Sequence, residues 1–251
     1  MTMRKLTFAL LLILAMASSA IAGQVQIGYS GSSYGPYQTG QGGEFTIKSL
    51  SSFLDLSGYV VGTTKTITAH ADTFQAFCLE GNEFISGYST TYFAKVDTFA
   101  EAGGQSGWDD VAHTKDTLSK GTGLLYSQFA RGTLAGYNYG AGRSGTTSSS
   151  AYLLQQAIWW LEGEEGVAYS AGNIFMAAVT TAFGSQAGAK ADGADAYGVY
   201  ALNIWTVDAR GAITKAQSQT YYHDVPDGGA TLMLLGGALM GLGALRRKYR
   251  R

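Results

Sequence analysis

Two kinds of hydrophobic pattern divide the middle of the chain. Apolar and polar residues alternate over residues 44–48 and 65–69, and a third apolar run covers residues 74–80. Alternation with a period of two is typical of strands that bury one face. Residues 23–42 are rich in Gly, Ser and Tyr, which indicates irregular structure or an edge strand. We therefore expect antiparallel β-structure in the first third of the chain.

The pattern then becomes helical before it returns to alternation. Residues 116–131, 151–161 and about 173–183 carry apolar side chains at helical spacing. Residues 197–207 and 212–222 are again typical of strands, with a turn between them. Strands, helices and strands in this order predict an α+β domain. We expect an antiparallel β sandwich or barrel with a helical insert.

The start of the chain has the pattern of a targeting segment. Arg4 and Lys5 precede an apolar stretch over residues 6–17, and residues 20–22 are Ala-Ile-Ala. A positive segment, an apolar core and a small-x-small cleavage site together predict a cleaved signal peptide over residues 1–22. An uncleaved N-terminal anchor is the alternative.

Residues 225–251 have three parts: a helix-breaking motif, an apolar run and a basic end. Proline and glycine disfavour a helix in the motif. The uncharged run over residues 230–245 would extend about 24 Å as a helix, which is short of the ~30 Å hydrocarbon core, but Arg and Lys side chains can lengthen its reach. We predict a short transmembrane helix with its basic end in the cytoplasm. The motif consists of Val225, Pro226, Asp227, Gly228 and Gly229, and the basic end contains Arg246, Arg247, Lys248, Arg250 and Arg251.

Motif, short span and basic end in this order closely resemble the PEP-CTERM sorting signals, in the variant with Val-Pro-Asp in place of Pro-Glu-Pro. The resemblance implies that an exosortase, a membrane protease-transferase, recognises the tail and cleaves near Pro226. It implies an exported precursor anchored in the inner membrane and a mature form at the cell surface or outside, in bacteria that make exopolysaccharide and biofilm. An ordinary tail anchor that is never processed is the alternative.

The predicted extracytoplasmic domain, residues 23–224, has a composition suited to a secreted surface domain. Charged residues make up 14% of the chain, against about 25% in typical globular proteins, and 35 residues are Gly and 16 are Tyr. The net charge of −1 gives no attraction to nucleic acid. His70, His113 and His223 lack the spacing of metal ligands, so we expect no metal site.

Cys78 and Gln155 are the residues with the most distinctive chemistry. Cys78 is the single cysteine, so an exported form has no internal disulfide, and the thiol is either buried and inert, paired with another chain, or used chemically. Gln155 and Gln156 interrupt an apolar predicted helix, and a buried amide needs hydrogen-bond partners. A thiol that displaces ammonia from a glutamine amide leaves an internal thioester, which can capture an amine or a hydroxyl. Apolar neighbours such as Phe77 and Trp159 would exclude water from that bond.

The segments around the two residues resemble the thioester domains of bacterial surface adhesins. In those domains the Cys follows an aromatic residue, and the Gln lies in a Thr-Gln-x-Ala-Ile-Trp pattern. Gln155 and residues 157–159 match the second pattern, whereas Leu154 stands in the place of the Thr. The resemblance implies that Cys78 is the thioester sulfur and Gln155 the acyl donor, that no cofactor takes part, and that the partners are surface amines or hydroxyls.

These observations favour an exported surface or matrix protein that is not an enzyme and that adheres covalently through the thioester. A non-covalent polysaccharide-binding or structural matrix module is one alternative, because Tyr and Trp rings stack on sugar rings. A secreted carbohydrate-active hydrolase is another, because glycoside hydrolysis uses paired carboxylates and Glu162, Glu164 and Glu165 cluster after a predicted helix. A solvated turn is the simpler explanation of that cluster.

Overall fold

The computed structural model describes residues 23–28, 35, 37–39, 42–60, 72–85, 87–101, 114–164 and 166–224. Its strands are β1 (Gly23–Ile27), β2 (Gln38–Thr39), β3 (Gly42–Gly43), β4 (Phe45–Ser49), β5 (Thr73–Ala76), β6 (Thr90–Asp97), β7 (Phe99–Glu101), β8 (Lys115–Thr117), β9 (Val199–Val207) and β10 (Ile213–Tyr222). Six of them form one antiparallel sheet in the order β10-β9-β6-β1-β4-β5. The pairs β2–β3 and β7–β8 are separate short hairpins.

Strand β1 lies in the interior of the sheet, antiparallel to both β4 and β6. The expectation that residues 23–42 are irregular or an edge strand is therefore wrong for this segment. Val25 and Ile27 are fully buried while Gln24 is exposed, so even a five-residue strand places an apolar face on the core. The glycine- and tyrosine-rich composition of the surrounding residues hides this short alternation.

The sheet curls until its two edge strands meet. Cys78, just after β5, forms an antiparallel bridge with Gln219 of β10. Main-chain hydrogen bonds of 2.9 and 3.0 Å flank the bridge and join segment 77–80 to segment 217–220. We call these two segments the seam. The result is a half-barrel whose edges are connected at one place, in agreement with the predicted antiparallel β-fold.

The helices lie between β8 and β9, which confirms the α+β class and the helical insert. They are α1 (Lys120–Ala130), α2 (Ser150–Leu161), α3 (Ile174–Ala182) and α4 (Gln186–Lys190). Helix α1 begins later than predicted, because the preceding residues form β8 and the Ser119 hydroxyl accepts a hydrogen bond from Thr122 N at 3.2 Å. The Asn173 side chain caps α3 in the same way, accepting from Phe175 N at 3.0 Å.

The core fills the space between the curled sheet and the helices. Phe129 of α1 packs edge-to-face against Phe77 of the seam, with ring centroids 5.1 Å apart, and against Tyr137 at 5.0 Å. Leu154 and Ile158 of α2 are fully buried. Aromatic pairs of this geometry contribute about 0.5–1.5 kcal/mol each beyond the area that they bury. The seam is thus covered by helices on its inner side.

Several sequence predictions can be compared with these elements. The predicted strands at 44–48, 74–80, 197–207 and 212–222 correspond to β4, β5, β9 and β10. Residues 65–69, the signal peptide 1–22 and the tail 225–251, with its predicted transmembrane helix, lie outside the described residues. Within the described part of the chain, no helix has the length and apolar composition of a membrane span.

Candidate functional site

Gln155 of α2 binds the main chain of Cys78 directly. Its Nε2 donates to the Cys78 carbonyl at 2.8 Å, and its Oε1 accepts from the Cys78 N–H at 3.0 Å. The Gly43 N–H donates to the same Oε1 at 3.1 Å. Gln155 is fully buried. The structure therefore brings the two predicted residues together and places two main-chain donors on the amide oxygen.

The glycines of β3 make this contact sterically accessible. A Cβ atom on Gly42 would lie 2.6 Å from Cγ and 2.9 Å from Cδ of Gln155, closer than real Cβ contacts. The φ angles of Gly42 and Gly43 are +88° and +107°, a region that favours glycine. Only residues without a side chain bring this backbone onto the face of the Gln155 amide.

The Cys78 thiol points to the other strand of the seam. It is 1% exposed and donates to Oε1 of Gln217 at 2.8 Å, while Nε2 of Gln219 lies 3.8 Å from the sulfur. Burial raises the pKa of the thiol above its ordinary value, and the Gln219 hydrogen bond opposes this only in part. The thiol is consequently protonated at neutral pH, with Gln217 as the acceptor of its proton.

A buried ion pair at the residue that follows β3 supports the site. Nε of Arg143 lies 3.1 Å from Oε1 of Glu44, the Tyr137 hydroxyl donates to the same oxygen, and neither charged side chain is more than 1% exposed. The Arg143 guanidinium also lies 3.7 Å from the centre of the Tyr37 ring. Burial raises the pKa of Glu44 to about 7, against the opposing effects of Arg143 and Tyr137. Because Glu44 follows Gly43 directly, this pair fixes the strand that donates to Gln155.

Buried acids lie beside the seam. Oε2 of Glu80 accepts from Ser218 N at 2.9 Å, and the Glu80 carbonyl accepts from Nε2 of Gln217 at 2.5 Å. Burial, and secondarily the Glu83 carboxylate, raises the pKa of Glu80 well above its ordinary value. Gln217 thus joins the Cys78 thiol to the main chain of Glu80. These contacts make the seam a continuous polar network inside an apolar shell.

The acidic cluster of the hydrolase alternative is divided among separate structural roles. Oε1 of Glu162 accepts from Ser119 Oγ at 2.8 Å and from Thr122 Oγ1 at 2.5 Å, at the start of α1. Oε2 of Glu164 accepts from Gly81 N at 2.7 Å. Glu162 and Glu164 are buried, so the solvated turn expected from the sequence is wrong for them, and Glu165 lies outside the described residues.

Other parts of the site were not evident from the sequence. Gly43 and Gln217 contact the predicted pair from positions 112 and 139 residues away, and no local motif marks either of them. The sequence marks Arg143 only weakly as a site residue, as a lone basic residue in a glycine-rich segment. The structure describes no group of three His, Cys, Asp or Glu side chains that could hold a metal ion. The five motif residues from Val225 to Gly229 and the basic residues from Arg246 to Arg251 lie outside the described residues.

The described domain thus belongs to the class of α+β half-barrels with a buried polar site at the seam. Residues 224–249 match the VPDSG-CTERM motif, a PEP-CTERM-type sorting signal. The motif indicates an exported protein that exosortase, a membrane enzyme, processes from an anchored precursor to a cell-surface or extracellular form. The match covers the tail and does not include the domain before it.

No curated protein and no solved structure gives a significant match to the chain.

Proposed function

We propose that this exosortase-sorted protein is a covalent adhesin of the cell surface or exopolysaccharide matrix, and that Cys78 and Gln155 form an internal thioester. The observation that carries the proposal is the pair of N–H groups, from Gly43 and Cys78, that converge on Oε1 of Gln155. Two main-chain donors on one carbonyl oxygen have the arrangement of an oxyanion hole. They polarise the amide and stabilise the oxyanion that forms when a nucleophile attacks its carbon.

Thioester formation balances without a cofactor. The Cys78 sulfur attacks Cδ of Gln155, the new S–C bond forms, and the C–N bond breaks. Nε2 takes up the thiol proton and leaves as ammonia. Capture then proceeds by attack of an amine or hydroxyl of the target on the same carbon, which breaks the S–C bond and returns a proton to the sulfur. The product is an amide or ester between Gln155 and the target.

The surroundings of the thiol bear on these steps in two ways. Gln217 holds the resting thiol, because its Oε1 accepts from the thiol at 2.8 Å, and the sulfur leaves this contact when it attacks Gln155. Phe77, next to Cys78, and Ile158, one turn after Gln155, are fully buried and exclude water, which protects a thioester from hydrolysis. Because Gln155 is itself fully buried, a target reaches the bond only when the chain around the site moves.

Intact mass spectrometry of the purified chain, with and without methylamine, tests the proposal. We expect a mass lower by one ammonia than the sequence requires, and addition of one methylamine on treatment. Cys78→Ala and Gln155→Ala should both show the full mass and no methylamine adduct. Gln156→Ala, on the same helix, is the matched control and should keep both the deficit and the adduct.

The full unmodified mass in the parent chain, with no methylamine adduct, would remove the thioester and the covalent mechanism. A deficit that persists in Cys78→Ala would have the same meaning, because another group would then have lost ammonia. In either case the seam is a structural feature of a sorted surface domain.

A further inference from the structure

A cavity, which we call the outer cavity, lies on the face of the sheet opposite the core, near the β9–β10 hairpin. Its volume is about 180 Å³, and strands β6, β7, β9 and β10 contribute its walls. The register places Phe93, Trp205 and Lys215 side by side across three strands, and Lys95 beside Asn203 in the next row. The side chains that define the cavity are Lys95, Glu101, Asn203, Trp205, Ile213 and Lys215.

Charged groups along one wall alternate in sign. Nζ of Lys215 lies 3.3 Å from Oε2 of Glu101, and Nζ of Lys95 lies 3.8 Å from Oε1 of the same carboxylate. Lys95 also pairs with Asp97 at 2.9 Å. With Asp97, which lies beside the cavity, two positive and two negative charges balance around this wall. It offers donors and acceptors side by side without attracting a ligand of either charge.

The base of the cavity is held rigidly by Asn203. Its Oδ1 accepts from the Glu101 N–H at 2.9 Å and from Ser218 Oγ at 2.8 Å, and its Nδ2 donates to the Phe99 carbonyl at 3.0 Å. These bonds connect β7 to β9 and β10. The cavity is consequently preformed, which lowers the entropy lost when a ligand binds.

The remaining wall is apolar and partly open to solvent. The rings of Trp205 and Phe93 are nearly parallel, at an angle of 18°, with centroids 6.1 Å apart. Phe93 is 38% exposed and Ile213 is 65% exposed. Exposed aromatic and aliphatic groups on a sheet face next to a preformed cavity are typical of a binding surface rather than of ordinary strand packing.

We propose that this cavity binds a neutral sugar ring of an extracellular polysaccharide. A sugar ring has C–H groups on its faces, which pack on Trp205 and Ile213, and hydroxyls on its rim, each of which both donates and accepts. Vicinal hydroxyls match the alternating Lys–Glu–Lys wall. A cavity of about 180 Å³ is similar in size to a cavity of about 150 Å³ that holds a benzene ring, so the site admits one six-membered ring of a longer chain.

This binding does not involve Cys78 or Gln155, and its test does not depend on the thioester. Isothermal titration calorimetry and tryptophan fluorescence on the purified full chain would use cellohexaose, maltohexaose and mannohexaose as neutral probes and hexagalacturonate as the anionic one. We expect saturable binding of at least one neutral probe and a change in fluorescence. Trp205→Ala should weaken that binding roughly tenfold or more. Cys78→Ala should leave it unchanged.

Two further variants complete the test: a second substitution in the cavity and a control outside it. Ile213→Asp places a charge in the cavity at an exposed position, so it should abolish binding without unfolding the chain. If Trp205→Ala fails to fold, Ile213→Asp is the variant that tests the proposal. Phe84→Ala, at a side chain that is 79% exposed, is the aromatic control and should bind as the parent does. Absence of binding by every neutral probe, binding of hexagalacturonate alone, or parental affinity in folded Trp205→Ala or Ile213→Asp would overturn the proposal.

Discussion

The seam and the outer cavity share strand β10 and are built in opposite ways. At the seam, Gln155 is fully buried and the main chain supplies the partners of its amide. At the outer cavity, the polar groups are the long side chains of Lys95, Glu101 and Lys215, each at least partly exposed. The seam has its polar groups fixed and dry, whereas the outer cavity has a fixed, buried base at Asn203 and charged side chains on its wall that are exposed to solvent.

Because they are built differently, the two sites suit different functions. Hydrogen bonds in a dry interior are strong and an unmade bond is costly, so the seam suits a reaction that needs fixed atoms and no water. Exposed ion pairs contribute about 0–1 kcal/mol to stability. Their side chains can therefore give up the ion pair for hydrogen bonds to ligand hydroxyls at little cost in free energy. Substitutions on the two sides should therefore differ sharply in their effect on stability.

The largest effect is expected from Arg143→Met, which leaves the Glu44 carboxylate buried without its cationic partner. Removal of one member of a buried ion pair costs about 3–5 kcal/mol. Urea denaturation should show this loss in the free energy of unfolding. Arg210→Met, at an exposed arginine in the β9–β10 turn, is the matched control and should change it by less than about 0.5 kcal/mol. Equal effects of the two substitutions would mean that the ion pair does not support the seam.

Gln155→Leu should follow, with a loss of about 3 kcal/mol in the free energy of unfolding. The leucine leaves two buried N–H groups, of Gly43 and Cys78, and the Cys78 carbonyl without partners, and about 1 kcal/mol for each of the three groups, the lower end of the usual cost, gives this loss. Gln156→Leu is the control on the same helix, at a half-buried position, and should be close to neutral. If both variants unfold at the same denaturant concentration, the main-chain contacts of Gln155 contribute nothing to stability.

The sequence predicted those parts of the fold whose signals are local. Helix α3 follows from its apolar spacing, and β9 and β10 follow from alternation around the Asp208–Gly211 turn. Strand β1 was missed as an interior strand because its neighbours in the sheet, β4 and β6, are distant in the chain. Strand order depends on which apolar faces meet in three dimensions, and the pattern of one segment does not contain that information.

The same distinction explains the candidate site. Cys78 and Gln155 were found because a lone cysteine and a polar pair in an apolar helix are anomalies that the sequence displays. Gly43 and Gln217 were not found, since a glycine and a glutamine in strands look ordinary until the sheet curls and closes at the seam. Their roles arise from contact alone.

A smaller effect is expected on the pH dependence of the free energy of unfolding, and Glu162 is the residue that we expect to contribute to it. Burial raises the pKa of Glu162 from 4.5 to about 7, against hydrogen bonds from Thr122 and Ser119 that lower it. The folded chain then binds a proton that the unfolded chain has lost, so stability decreases as the pH rises from about 4.5 to 7. At ~1.4 kcal/mol per pKa unit, this group contributes about 2–3 kcal/mol of that decrease.

Glu162→Gln removes the titration while the amide oxygen still accepts from Ser119 and Thr122. The variant should be more stable than the parent at pH 8, and its stability should depend less on pH between 4.5 and 7. Urea midpoints at several pH values measure both quantities. An unchanged pH dependence in the variant would assign the effect to other buried acids, of which Glu44 and Glu83 also have a pKa raised to about 7.

The smallest effect is expected on the outer face, from Ile213→Ser. The Ile213 side chain is 65% exposed at the start of β10, so its removal uncovers no core and leaves no polar group without a partner. Surface substitutions of this kind change the free energy of unfolding by less than about 0.5 kcal/mol. Val25→Ser, on the core side of the same sheet, should cost several times more, because Val25 is fully buried in the hydrophobic core and the substitution places a hydroxyl there. A loss for Ile213→Ser that approaches the loss for Val25→Ser would show that the outer face is held as tightly as the core, and that the contrast between the two sides of the sheet does not exist.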